Sequence, residues 1–282
     1  MNIQTEDPVR TRRKTAFAIA GMGNVGTQLV RAVLADQEDD LEIAAIATRR
    51  IDAAKSRTKS LGLDVPVVTA RELPRYARIV VECATYDAFR EVVEPALVSS
   101  CHVICVSVGA LASNSDLIEV ASRNGATLQI ASGAMPGLDI LRCAREGGLV
   151  SVSLESQILP SSLAGEPYVA ERGIDVSRAA NGPLLIFSGT AREAATHFPR
   201  HFNVAVALAL AGAGYEKTNV EIFANGLIKG TVHKVSVKSP SISLDMTASN
   251  FPSEENPRTS RIVAPSILAA LREINSPVRI GS

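Results

Sequence analysis

Apolar residues fall into two textures along the chain. Up to about residue 131 they form short, nearly continuous runs separated by helical repeats; beyond it they tend to alternate with polar residues. Continuous runs suit strands buried on both faces of a parallel sheet, whereas alternation marks strands with one open face. The first stretch reads as strand Ala16–Ala20, helix Asn24–Leu34, strand Leu41–Ala47, helix Ile51–Leu61 and a brief strand Val65–Thr69. Strand Arg78–Cys83, helix Asp87–Ser99, strand His102–Val108, helix Leu117–Asn124 and strand Thr127–Ala131 follow. Regular β/α alternation predicts a doubly wound, Rossmann-type parallel sheet.

The second texture predicts a different architecture. Helix Leu138–Glu146 and alternating strand Leu149–Ile158 lead into a loop rich in Ser, Gly, Pro and Ala that runs to Pro183. Strand Leu184–Phe187, helices Thr190–His197 and Asn203–Ala211, and strands near Thr218–Phe223, Gly230–Lys238 and Ser241–Met246 come next. This predicts an α+β unit on a mostly antiparallel sheet. The expected division is a disordered basic arm (1–14), a dinucleotide-binding domain (15–131) and an α+β substrate domain (132–258). A final helix within 259–282, Arg261–Ile274, is expected to pack back on the first domain.

The first strand ends in Gly21-x-Gly23-x-x-Gly26, with helix-forming sequence at once behind it. In that setting the first glycine allows a tight turn, the second lets backbone approach a pyrophosphate, and the third lets helix pack on strand. Asn24 and Val25 open the helix, whose unpaired N–H groups and partial positive charge favour an anion. The other reading is a plain βα turn. Ala84, at the mouth of the Arg78–Cys83 strand, and Gly109, closing the next, stand at the sheet edge where open α/β folds bind ligands. At the end of Leu41–Ala47, where an acid often accepts bonds from the cofactor ribose, the chain has Thr48-Arg49-Arg50. Arginine there can pair with a 2′-phosphate, which favours NADP over NAD. Alternatively, Arg49 and Arg50 are solvated loop residues.

Composition narrows the class further. Lys plus Arg and Asp plus Glu are both 29, so no bulk charge draws the chain to nucleic acid. No apolar run approaches the roughly 20 residues of a membrane helix. The first residues are polar and basic, without the apolar centre of a secretory leader. Four cysteines without a CxxC pair read as free thiols of a cytoplasmic protein, and no metal site is expected. A small-molecule substrate and, from the antiparallel sheet, a homodimer are the partners expected.

Proton handling at neutral pH suits histidine, and there are four. His102 falls in a buried strand and reads as structural, while His197 and His201 bracket a helix junction. His233 lies in a one-sided strand and shares its face with Thr231 and Val235. Anionic substrates call for cations or hydroxyl and N–H donors. Arg192, Lys229, Lys234, Arg258, Thr259 and Ser260 are the candidates. Arg192 could instead bridge to Glu193 or Glu216, and Thr259 or Ser260 could simply cap the last helix.

The chain resembles the L-aspartate dehydrogenase family through motifs in order. They are Gly21-x-Gly23-x-x-Gly26, Val80-Val81-Glu82-Cys83-Ala84, Ser107-Val108-Gly109-Ala110 and Ser132-Gly133-Ala134 with Gly137-Leu138-Asp139. Phe187-x-Gly189-x-Ala191-Arg192-Glu193-Ala194, Phe198-Pro199-x-x-x-Asn203-Val204-Ala205, His233 and Asn256-Pro257-Arg258-Thr259-Ser260 complete the series. The resemblance implies pyridine-nucleotide-dependent deamination of L-aspartate through iminosuccinate to oxaloacetate and ammonia, or the reverse amination. In some bacteria the imine feeds NAD biosynthesis. It implies a catalytic role for His233 and dinucleotide contacts for Ala134 and Asn203. The chain departs from the family pattern at Ser156-Gln-Ile-Leu-Pro160, where a basic pair is usual. It departs also at His201, Thr231 and Asn225-Gly226. The missing cations leave room for a related amino, imino or keto acid substrate. A non-catalytic NAD(P)-binding sensor is the reading of a different class.

Overall fold

A computed structural model describes residues 14–36, 40–198, 203–254, 256 and 259–281. Arg258, His201 and the N-terminal arm up to residue 13 lie outside the described residues. Six strands form the first sheet: β1 Thr15–Ala20, β2 Leu41–Ala47, β3 Val67–Val68, β4 Ile79–Glu82, β5 His102–Cys105 and β6 Thr127–Ile130. All pair in parallel, in the order β3-β2-β1-β4-β5-β6. This is the doubly wound arrangement, with its switch point between β1 and β4. Helices 89–98 and 116–123 bury Phe89, Val93, Leu97 and Leu117 against one face. Helices 24–34 and 263–274 bury Leu29, Val30, Ile267 and Leu271 against Phe17 and Ile19 on the other. Each such fully buried side chain contributes roughly 1.5–3 kcal/mol. Arg272 adds ion pairs to Asp36 at 2.6 Å and Asp40 at 3.4 Å, fastening the C-terminal helix to this layer.

Five strands form the second sheet: β7 Ser151–Ile158, β8 Leu184–Thr190, β9 Thr218–Ala224, β10 Thr231–Lys238 and β11 Ser243–Asn250. Their order is β11-β10-β7-β9-β8, and only β7 and β9 run in parallel. Val152, Leu154, Val220, Ile222, Val235 and Val237 point inward, against Leu141 of helix 138–146 and Leu208 of helix 203–211. The opposite face carries Ser153, Glu155, Ser236 and Lys238, as period-two alternation requires.

Three departures from the pattern-based expectation have a plain local cause. The stretch up to Pro183 holds helical turns at 160–163 and 167–171 and a 3₁₀ segment at 176–181. Pro160 and Pro167 start the first two, where a missing N–H costs nothing, and Leu163, Val169 and Ala179 are buried beneath. Strand β5 stops at Cys105 rather than Val108, because the N–H groups of Val106 and Ser107 turn to the Glu82 carboxylate. Strand β11 runs on to Asn250, since β10 offers it a partner along its whole length.

Candidate active site

The glycine turn has a tight steric logic. Gly21 holds φ at +110°, and a Cβ on it would collide with the Cys83 carbonyl. A Cβ on Gly26 would strike the carbonyl of Gly21. Gly23 is different: a Cβ there would meet no protein atom within 4 Å. The space before helix 24–34 is therefore open. No side chain caps that helix's N-terminus and no acid stands in its first turn. The turn fits a dinucleotide pyrophosphate, which such an N-terminus attracts.

A cleft of about 630 Å³ opens beside this turn, between the C-terminal edge of the parallel sheet and the second sheet. Val25, Ala84, Thr85 and residues 106–108 line it from the first sheet, and 131–134 from the connection. Ile158, Thr231, His233 and Asn250 line it from the second sheet, and Phe251, Asn256, Thr259 and Ser260 from the loop behind β11. Asn203 and Val204 complete the wall at the start of helix 203–211. Asn203 Oδ1 accepts the Gly109 N–H at 2.8 Å, so Gly109 sits behind the wall and holds Asn203 in place. Asn24 donates from Nδ2 to Ser253 Oγ at 3.1 Å, tying the glycine turn to the loop that carries Thr259 and Ser260.

His233 faces this cleft from β10. It is 5% exposed, and burial lowers its pKa from 6.5 to about 4, so the ring is neutral at pH 7. Register places it opposite Ser156 of β7, whose hydroxyl lies 2.9 Å from Nδ1. That bond leaves Nε2 as the nitrogen presented to the cleft. The other described histidines are engaged elsewhere: His102 hydrogen-bonds Gln129 at 2.6 Å, and the His197 ring packs at a tilt with its centroid 4.8 Å from that of Tyr168.

Three expected substrate cations are not in the cleft. Lys234 follows His233 directly, so strand alternation turns it to the opposite face, where Nζ pairs with Glu155 at 2.8 Å. Arg192 projects from the outer side of helix 191–197, pairs with Glu216 and covers the Tyr215 ring. Lys229 is also absent from the wall. Among the described lining residues none is Lys or Arg; the polar groups are mostly hydroxyls and amides. Ser260 Oγ is buried there without a hydrogen-bond partner among the described residues. Where the family pattern has its basic pair, Ile158 lines the cleft, while Gln157 bonds Glu155 and Asn225.

Arg49 and Arg50 are exposed just beyond β2, at the edge that carries the glycine turn. Arg57 adds a cation that the motifs did not single out. From helix 51–60 its Nη1 donates to the Met22 carbonyl at 2.8 Å and to Thr27 Oγ1 at 3.3 Å. Glu82 and Ser156 stand within quoted motifs, but sequence reasoning gives neither a role. An acid closing a wholly apolar strand pointed to the first; nothing local pointed to the second.

Residues 21–131 match the family described as homoserine dehydrogenase, NAD binding domain, and residues 139–274 the family described as aspartate dehydrogenase, C-terminal. L-aspartate dehydrogenase 3 of Bordetella bronchiseptica is 39% identical over 273 residues, covering 96% of this chain and 99% of that one. The chain belongs to the L-aspartate dehydrogenase family. A second member, from Bradyrhizobium diazoefficiens, is 39% identical over 94% of this chain and 93% of its own. The crystal structure of aspartate dehydrogenase from Thermotoga maritima superposes with a TM-score of 0.70 at 27% identity, covering 95% of this chain and 100% of that one. Membership makes the chain an oxidoreductase with a nicotinamide dinucleotide cofactor and a small-molecule substrate. Among the described residues no helix is long and apolar enough to cross a membrane, and no cluster of metal-ligating side chains occurs.

Proposed function

We propose that the chain catalyses NAD(P)-dependent oxidative deamination of L-aspartate, or the reverse amination of oxaloacetate. The observation that carries this is that His233 and Val25, which stands beside the glycine turn, line one cleft. Bound there, the dinucleotide supplies the acceptor or donor for a hydride at Cα. The protein supplies orientation and proton handling. His233, neutral and buried, presents Nε2 to take the amine proton as the C–N bond becomes C=N, and to return it in the other direction. Loss of a hydride and a proton leaves iminosuccinate, which water converts to oxaloacetate and ammonia. Thr259 and Ser260 are the proposed donors to a substrate carboxylate; both line the cleft, and the Ser260 hydroxyl has no partner among the described residues. Arg258, adjacent to Thr259, is the cation proposed to complete that contact.

The exposed pair Arg49 and Arg50, with no acid ending β2, supports NADP over NAD. The open outer face of the second sheet supports a homodimer, which sedimentation would test. The deciding experiment is a panel of L-aspartate, oxaloacetate with ammonia, and close analogues against NAD(H) and NADP(H). Reaction with aspartate and with oxaloacetate plus ammonia is expected. Ile158 on the cleft wall favours one second reading, a related amino, imino or keto acid as substrate. Turnover of such analogues with silence toward aspartate would establish it.

A further inference from the structure

The cleft rests on a charge that the reaction does not use. Glu82 ends β4 and is fully buried, and among the described residues no Lys or Arg pairs with it. Burying an uncompensated carboxylate is costly. Desolvation accordingly pushes its carboxyl upward, while hydrogen bonds from Ser107, Ala84 and Val106 hold it down. Its Oε1 accepts from Ala84 N–H at 2.8 Å, and its Oε2 from Val106 at 3.1 Å and Ser107 at 2.9 Å. Both oxygens are thus taken by donors, the pattern of an ionised group. The donors belong to two separate loops, one after β4 and one after β5, and both line the cleft. Ser107 Oγ closes the arrangement by donating to the Ala84 carbonyl at 2.9 Å.

We propose that Glu82 is an anionic positioning residue that pins the loops after β4 and β5 together and thereby sets the affinity for the nicotinamide cofactor. This rests on the cofactor part of the function above and not on His233. Glu82→Gln has the right shape and the wrong donors: whichever way the amide turns, an NH₂ faces a backbone N–H. The test is fluorescence titration with NADPH and NADH, joined to hydrogen exchange of the ligand-free protein.

Glu82→Gln is expected to bind the favoured cofactor at least tenfold more weakly and to exchange the amides of Ala84, Val106 and Ser107 faster. The cofactor KM should rise, while the aspartate KM at saturating cofactor stays within twofold. Damage to the fold alone would lower the melting temperature and the active fraction without that split. If Glu82→Gln does not fold, Glu82→Asp carries the same comparison, since it keeps the charge but withdraws it by one methylene. Binding and exchange like the wild type would overturn the proposal for Glu82 alone. A wild-type chain that binds neither dinucleotide would overturn it together with the cofactor reading.

Discussion

Ser156 Oγ lies 2.9 Å from Nδ1 of His233, across a strand pair that brings together residues 77 apart in sequence. Both are buried, so the ring has little freedom to turn. For Nε2 to take a proton, Nδ1 must carry the hydrogen and donate it to the Ser156 hydroxyl, which accepts from the neutral and the protonated ring alike and so keeps its bond through proton transfer. Ser156→Ala should therefore lower kcat roughly tenfold, the scale on which outer partners of a functional histidine act. Ser156→Thr should recover most of that loss. Steady-state kinetics beside melting curves would check this; an unchanged kcat in a folded Ser156→Ala protein would refute it.

Replacing His233 itself should be more severe. Removing a positioned acid–base group costs roughly 10²–10⁴ in rate. His233→Ala should lose that much kcat while cofactor titrations stay close to wild type, because the ring stands on the second sheet and the dinucleotide turn on the first. Equal loss of cofactor binding would assign the residue to the cofactor site instead.

Stability should depend on His233 in the acid range. Its folded pKa of about 4 lies below the ordinary 6.5, so between those values the unfolded chain binds a proton that the folded chain rejects. The contribution is complete above pH 6.5 and is lost as pH falls toward 4. Glu82 acts in the opposite sense, because its raised carboxyl makes the folded state the better proton binder on acidification. Comparing wild type with His233→Leu isolates the histidine. Between about pH 7.5 and 4.5, denaturant unfolding should shift the difference in the variant's favour by roughly 2–3 kcal/mol. A constant difference would mean the ring titrates alike in both states.

Arg49 and Arg50 should distinguish the two dinucleotides. Both are exposed at the end of β2, so neutral replacements should leave the fold intact. Loss of a charge-assisted phosphate contact, worth roughly 1.5–3 kcal/mol, should weaken NADPH binding ten- to a hundredfold and NADH little. Isothermal titration with each would decide it; equal weakening would remove the argument for a 2′-phosphate.

Much of the architecture was legible because its causes are local. Continuous apolar runs and period-two alternation report burial within a few residues of each position, and they separated the parallel sheet from the mostly antiparallel one. The glycine turn is local too: Gly26 presses on the carbonyl of Gly21, five positions away. The inward side of His233 follows from alternation with Val235 and Val237. Convergence is not local. Strand register decided that Ser156 meets His233, and the reach of a single carboxylate from β4 decided where β5 ends. The same alternation that faces His233 inward turns Lys234 away, yet only the tertiary structure showed Lys234 with Glu155 and Arg192 with Glu216. The sequence by itself determined the layers, the turn and the chemistry they carry. Which hydroxyls, amides and buried charges surround that chemistry was decided by pairing between distant strands, which no local pattern encodes.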